Sequence, residues 1–240
     1  MPRINDLLAE ASVSNEVWAL RPDYRALLIV ATGLEPGPSD QQSDWLLEAA
    51  EASALARLEN GIAAEELPEL AAWREAYRAF GAKPQRTRPS IEALVRRVDS
   101  GLPRIDRITD TYNAISVSHL LPLGGEDADR YVGAPRLVRA RRDEPFEIVA
   151  DGARQIEHPE VGEVVWTHDL GVTCRRWNWR QSIETRLTDS TVNALFIIDA
   201  LLETTELGAV IEAADELQNA LAAFSPDARF ERRLLEPLSS

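Results

Sequence analysis

Sulfur and imidazole are scarce in this 240-residue chain, which has one cysteine, Cys174, one methionine and three histidines, His119, His158 and His168. A lone cysteine makes no intramolecular disulfide, and so few soft ligands are poor material for zinc, so no disulfide framework and no metal are expected. Long apolar runs are missing too. The run from Ala194 to Ile198 is interrupted by Asp199, far short of the ~20 residues that cross a bilayer, and the first residues lack a basic-then-apolar leader. A cytoplasmic protein without a membrane partner is expected. Catalytic signatures are likewise absent: there is no phosphate loop, spaced-glycine dinucleotide fingerprint, Gly-x-Ser-x-Gly elbow or His-Glu-x-x-His. No cofactor is expected, and a hydrolase built on a nucleophilic triad is disfavoured.

What is present is the balance of a soluble core, 45% hydrophobic and 28% charged. The formal charge of −14 argues at first against nucleic acid, because phosphate binding is driven by cations that release counterions. Its distribution argues differently. Residues 1–80 hold 14 acids and 6 bases and residues 187–240 hold 10 acids and 3 bases, whereas residues 81–186 hold 16 acids and 17 bases. Lys83 is the sole lysine among 26 cations; the others are arginines, whose planar fork suits bidentate phosphate contact. An arginine-rich codon bias explains the same preference.

Helices dominate the first half and strands the second. Tyr24 to Thr32 reads as a buried strand ended by Gly33 and Pro36-Gly37-Pro38. Ser39 with Gln42 forms a capping-box pattern before Leu46, Leu47, Ala50, Ala54 and Leu58 at helical spacing. Leu70, Trp73, Tyr77 and Phe80 mark a second helix stopped by Gly81, and Ser90 to Val98 a third. A shorter helical stretch runs from Thr109 to Leu120, up to Pro122 and Gly124-Gly125. Tyr131 to Ala140, Phe146 to Val149, Glu163 to Thr167, Val172 to Arg176 and Val192 to Ile198 read as short strands. Leu207, Val210, Ala214, Leu217, Leu221 and Phe224 close with an amphipathic helix. With no repeat or long linker, the expectation is an α+β fold: helices on a multi-stranded, largely antiparallel sheet system with a sandwich-like core, in a single interwoven domain.

The most informative run is Cys174-Arg175-Arg176-Trp177-Asn178-Trp179-Arg180, where cations and rings interleave as in modules that pair phosphates and stack bases. Core tryptophans with arginines paired to acids explain it as well. Lys83, Arg86 and Arg88 form a second cluster, stiffened by Pro84 and Pro89, and Arg136, Arg139, Arg141 and Arg142 a third. Asn113, Pro122, Gly124 and Asp127, in that order, resemble the phenylalanyl-tRNA synthetase beta-subunit segment that runs asparagine, proline nine on, histidine two further, then aspartate. Upstream Phe80-Gly81-Ala82-Lys83-Pro84 and Ser90-Ile91-Glu92-Ala93-Leu94, with downstream Trp177-Asn178-Trp179-Arg180, resemble free-standing relatives of that subunit's B-three/B-four editing domain. The resemblance covers roughly residues 20–225. It implies an N-terminal extension over 1–19 and a C-terminal tail over 226–240.

By resemblance the function is trans-acting editing: hydrolysis of the ester between a mischarged amino acid and the terminal adenosine of tRNA. Such editing is needed where a synthetic pocket cannot reject a close isostere. The resemblance assigns Asn113 and Asn178 to catalysis, orienting the substrate and polarising its carbonyl. It places Pro122, Gly124, Ile197, Asp199, Trp177 and Trp179 around the amino acid, one tryptophan stacking on adenosine. Lys83, Arg86, Arg175, Arg176 and Arg180 fall to the phosphates of the acceptor end, bound weakly because of the acidic flanks. Asn113 equally suits a helix or turn cap, and both tryptophans suit core packing. Two departures from the resemblance matter: Gly124 replaces the histidine, and the strand glutamate that reads tyrosine there falls on Ile197 or its neighbour, with Asp199 the nearest acid. A pocket for a smaller or aliphatic residue is therefore expected. The alternatives are a non-catalytic module binding tRNA or an aminoacyl metabolite, and an amino-acid-sensing partner module using the C-terminal helix. The oligomeric state is open.

Overall fold

The computed structural model describes residues 4–237. In chain order the elements are α1 (Ile4–Ala9), β1 (Ser12–Val13), α2 (Asn15–Leu20), β2 (Tyr24–Thr32), α3 (Gln41–Arg57), α4 (Pro68–Ala79), α5 (Ser90–Val95), α6 (Arg107–His119) and β3 (Leu123–Asp127). The second half comprises β4 (Arg136–Arg139), β5 (Phe146–Ala150), β6 (Ala153–Glu157), β7 (Val164–Thr167), β8 (Val172–Arg175), β9 (Arg180–Gln181), β10 (Ala194–Leu201), α7 (Leu207–Phe224) and β11 (Arg229–Leu235). One sheet runs β11-β2-β10-β3, antiparallel throughout. A second runs β1-β4-β7-β8-β9, antiparallel except for the β1–β4 edge. β5 and β6 form a separate hairpin. The α+β reading holds.

The long strands are apolar on both faces, and alternation divides them between two cores. Leu27, Ile29, Phe196 and Ile198 pack against Val210, Ala214, Leu217 and Leu221 of α7 and against Ile108 and Ile115 of α6. Leu28, Val30, Leu195 and Ile197 face the other way and join Leu137, Trp166 and Cys174 of the second sheet and Trp73 and Tyr77 of α4. The inner faces of both sheets thus share one core.

Three local expectations change. The cap of α3 is Asp40, whose carboxylate accepts the N–H groups of Gln42 and Ser43 at 3.0 and 2.9 Å, while Ser39 instead donates to Asp110. Gly124-Gly125 lies inside β3 and not in a turn. The run Tyr131 to Ala140 contributes only β4 as strand. Both chain ends are woven into the sheets: Ser12 and Val13 pair with Arg136 and Leu137, and β11 pairs along nearly all of β2.

Four aromatic rings centre on Trp177, which is fully buried, with Tyr24 and Trp73 edge-on at 5.0 and 5.5 Å and Phe80 tilted at 6.2 Å. Trp177 is delivered by a turn in which Arg176 and Trp177 both adopt left-handed backbone, φ 47° and 67°. Such strain persists only where surrounding packing over-determines it. Trp177→Ala is expected to cost about 3–5 kcal/mol in denaturant unfolding, the range for deleting a buried aromatic side chain; a loss under about 1 kcal/mol would show that the cluster is not an anchor.

Candidate functional site

A cavity of about 300 Å³ opens between the two sheets and α5. Asn113, Gly124, Asn178, Trp179, Ile197 and Asp199 all line it, so residues from four parts of the chain converge. Its floor is set by strand register: Gly124 of β3 is the cross-strand partner of Ile197 of β10. A Cβ on Gly124 would stand 2.9 Å from the Gln181 side-chain nitrogen, which donates to the Gly125 carbonyl at 3.0 Å. Gln181 thus takes the space that a larger side chain at position 124 would claim.

Asp199 is buried at one end of this floor, with no cationic partner among the described residues. Tyr24 donates its hydroxyl to Oδ1 at 2.6 Å and the Asn178 amide donates to Oδ2 at 3.2 Å. Asn178 in turn accepts the Tyr77 hydroxyl at 2.9 Å. Burial raises the carboxyl to about 7, and these hydrogen bonds restrain the rise. The Trp166 indole N–H also favours the ionised form, although it forms no hydrogen bond of normal geometry. A second buried carboxyl, Glu126, also lines the cavity and is likewise pushed to about 7 by burial, with the Tyr131 hydroxyl donating to it and the Thr173 and Thr185 hydroxyls close by.

The Asn113 amide, on α6, makes no hydrogen bond to another protein group among the described residues, so it is not a cap. Ser90 Oγ at the first turn of α5 is buried and unpartnered at the cavity wall. At the rim Arg97 and Arg180 are exposed and form no ion pair among the described residues.

Several expected roles change. The Pro122 ring does not line the cavity; its carbonyl accepts the Asp199 N–H at 2.9 Å and so fixes the strand instead. Arg175 is no free phosphate ligand, because it is buried between Glu163 at 2.9 Å and Glu157 at 2.8 Å. Trp177 lines the cavity wall, but its full burial leaves no face for stacking an adenosine; half-buried Trp179 is the ring nearer solvent, with Arg176 over it at 4.3 Å. Lys83 and Arg86 are exposed and line, with Arg176, a separate depression of about 420 Å³. Sequence reasoning missed Glu126, Gln181, Arg97 and Ser90. Position 126 carried little signal, because Glu126 stands beside a second acid, Asp127, after two glycines.

The fold is a sandwich-like α+β domain with an open-mouthed pocket between its sheets, lined by two carboxyls inside and by two arginines at the rim. Residues 72–213 match the family model described as the B3/4 domain, and the chain belongs to that family. Among solved structures, an N-terminal fragment of the phenylalanyl-tRNA synthetase beta-subunit from Pyrococcus horikoshii is similar at 13% identity and a TM-score of 0.47, over 95% of this chain and 55% of that one. This chain therefore spans little more than half of that fragment. No match is found among curated proteins.

Asp199 binds its proton more tightly folded than unfolded, so its contribution to stability falls as pH rises from the ordinary carboxyl range to about 7. Asp199→Asn does not titrate. The melting temperature of the variant minus that of the wild type is therefore expected to become more positive between pH 5 and pH 8, by calorimetry; a constant difference would place the Asp199 ionisation in the ordinary range.

Proposed function

We propose that this B3/4 domain protein is an aminoacyl-tRNA deacylase acting in trans, which hydrolyses the ester joining an amino acid to the terminal adenosine of tRNA. The observation that carries the reading is Asp199: a buried carboxyl raised to about 7, oriented from both sides, in a cavity whose Asn113 amide has no protein partner. A carboxyl near neutrality matches a general base working at physiological pH. In the reading, water attacks the ester carbonyl carbon while Asp199 takes its proton. The Asn113 amide donates to the carbonyl oxygen as negative charge develops there. Collapse of the tetrahedral intermediate breaks the bond to the ribose oxygen, which leaves with the proton returned by Asp199. Asn178 acts through Asp199, since one of its N–H bonds and its carbonyl are committed to Asp199 and Tyr77.

The cations support the same orientation. Arg97 and Arg180 form no ion pair at the rim among the described residues, and Lys83, Arg86 and Arg176 line a second depression together with Glu160 and Glu163. A nucleic-acid end tracking this stretch meets positive charge while its ester enters the pocket. The overall charge of −14 keeps binding weak, which suits release of product. No amine, thiol or imidazole nucleophile is required, because an ester is an activated bond.

Release of labelled amino acid from a panel of correctly and incorrectly charged tRNAs tests the reading. Selective release is expected, lowered on the order of 10²-fold by Asn113→Ala, the scale for losing one donor to a developing oxyanion, and abolished by Asp199→Asn. Binding without turnover would instead identify a module that holds tRNA or an aminoacyl metabolite. Lys83→Ala and Arg86→Ala should each reduce the slope of log affinity against log salt by about 1 while leaving preference among amino acids unchanged; an unchanged slope would remove both from the RNA path.

A further inference from the structure

The same cavity holds a second carboxyl that the hydrolytic reading does not use. Glu126 lies opposite Leu195 and Asp199 follows Ile197 by two residues, so in the antiparallel register the two acids flank the Gly124–Ile197 pair on one face of the sheet. Their Cα atoms are separated along the strands by about 13 Å at ~3.3 Å per residue, with Gly124 and Ile197 between them on the same face. Cys174, on the facing sheet, senses both: its thiol is pushed up first by burial and then by Glu126 and Asp199. Among the described residues no lysine or arginine forms an ion pair with either acid. Glu126 is held by hydroxyl donors alone, chiefly Tyr131, which leaves acceptor capacity on its oxygens.

The two acids stand at opposite ends of this row. Asp199 is tied to the Asn178 side chain, and the Asn178 backbone carbonyl accepts the Ser90 N–H at 3.2 Å at the start of α5, the element that leads on to the rim residue Arg97. Glu126 lies at the other end, against Tyr131. An ester presented at the Asp199 end therefore directs the amino-acid side chain over Ile197 and Gly124 toward Glu126.

We infer that Glu126 is a specificity-determining residue that selects an amino acid whose side chain ends in a hydrogen-bond donor, a hydroxyl or an amine. This inference rests on the aminoacyl reading of the cavity. It replaces the expected preference for a small or aliphatic residue, because a buried acceptor left unpaired by an aliphatic tip costs more than the apolar contact returns. The apolar centre over Ile197 and Gly124 accommodates the methylene chain, and Gln181, lying over Gly124, limits its girth.

The test uses three adenosine analogues whose amino acid is joined by a stable 3′-amide and whose side chains share one carbon skeleton: norleucine, 6-hydroxynorleucine and lysine. Affinities for the full chain are measured by calorimetry. At least one donor-tipped analogue is expected to bind tenfold or more tightly than norleucine, and Glu126→Gln is expected to reduce that preference at least fivefold. If norleucine binds the wild type as well as or better than both others, the inference is overturned while the aminoacyl reading stands. If none of the three binds, both are overturned. The wild-type comparison decides the matter even if Glu126→Gln fails to fold.

Discussion

An uncompensated carboxyl in a protein interior is the constraint around which this molecule is arranged. Asp199 has no cation beside it, so its burial is tolerable only because Tyr24 and Asn178 hydrogen-bond it and because its proton is held to about 7. Asn178 reaches it from a turn whose two preceding residues, Arg176 and Trp177, have left-handed backbone. That conformation is held by Trp177 itself, locked among Tyr24, Trp73 and Phe80, and by its N–H donating to the Val164 carbonyl at 2.6 Å. The aromatic cluster and the polar chain thus share Tyr24 and neighbour one another along the turn. The core is what places the site.

Charge is divided by the same logic. Arginines that carry structure are paired with buried acids: Arg175 with Glu163, and Arg74 with Glu92 at 2.7 Å. Breaking such pairs strands a buried charge, which fixes these residues in place. Cations without an ion pair among the described residues stand at the rim, Arg97 and Arg180, and in the second depression, Lys83 and Arg86, where Glu160 and Glu163 also line the wall. A strongly acidic chain therefore presents exposed cations at the mouth of an acidic cavity. An aminoacylated nucleic-acid end has the opposite pattern, with phosphates outside and an amine-bearing acyl group to be enclosed.

Periodicity made much of the fold legible. β2 runs from Tyr24 to Thr32 as read, and α4 and α7 cover the expected runs, because their apolar spacing matches what each element buries. β3 was not legible, since Gly124-Gly125 has the look of a turn. The strand needs those glycines for space: a Cβ on Gly125 would stand 2.8 Å from Leu187 and 2.9 Å from Phe196. β11 was hidden because its alternation is weak and four of its seven residues are charged, as suits an edge strand.

The sequence by itself determined the α+β class, the interwoven domain and the convergence of Asn113, Asn178 and Asp199, through apolar period and the order of short motifs. It did not separate the tryptophan that anchors the core from the one beside solvent, or the paired arginine from the free one. Those outcomes depend on partners distant in the chain: Tyr24 meets Asp199 across 175 positions and Tyr77 meets Asn178 across 101. Burial and pairing are properties of what surrounds a group after folding. Only the tertiary structure brought Asp199 and Glu126 to one cavity and buried both, and the cost of charge in that setting is what raises the two carboxyls.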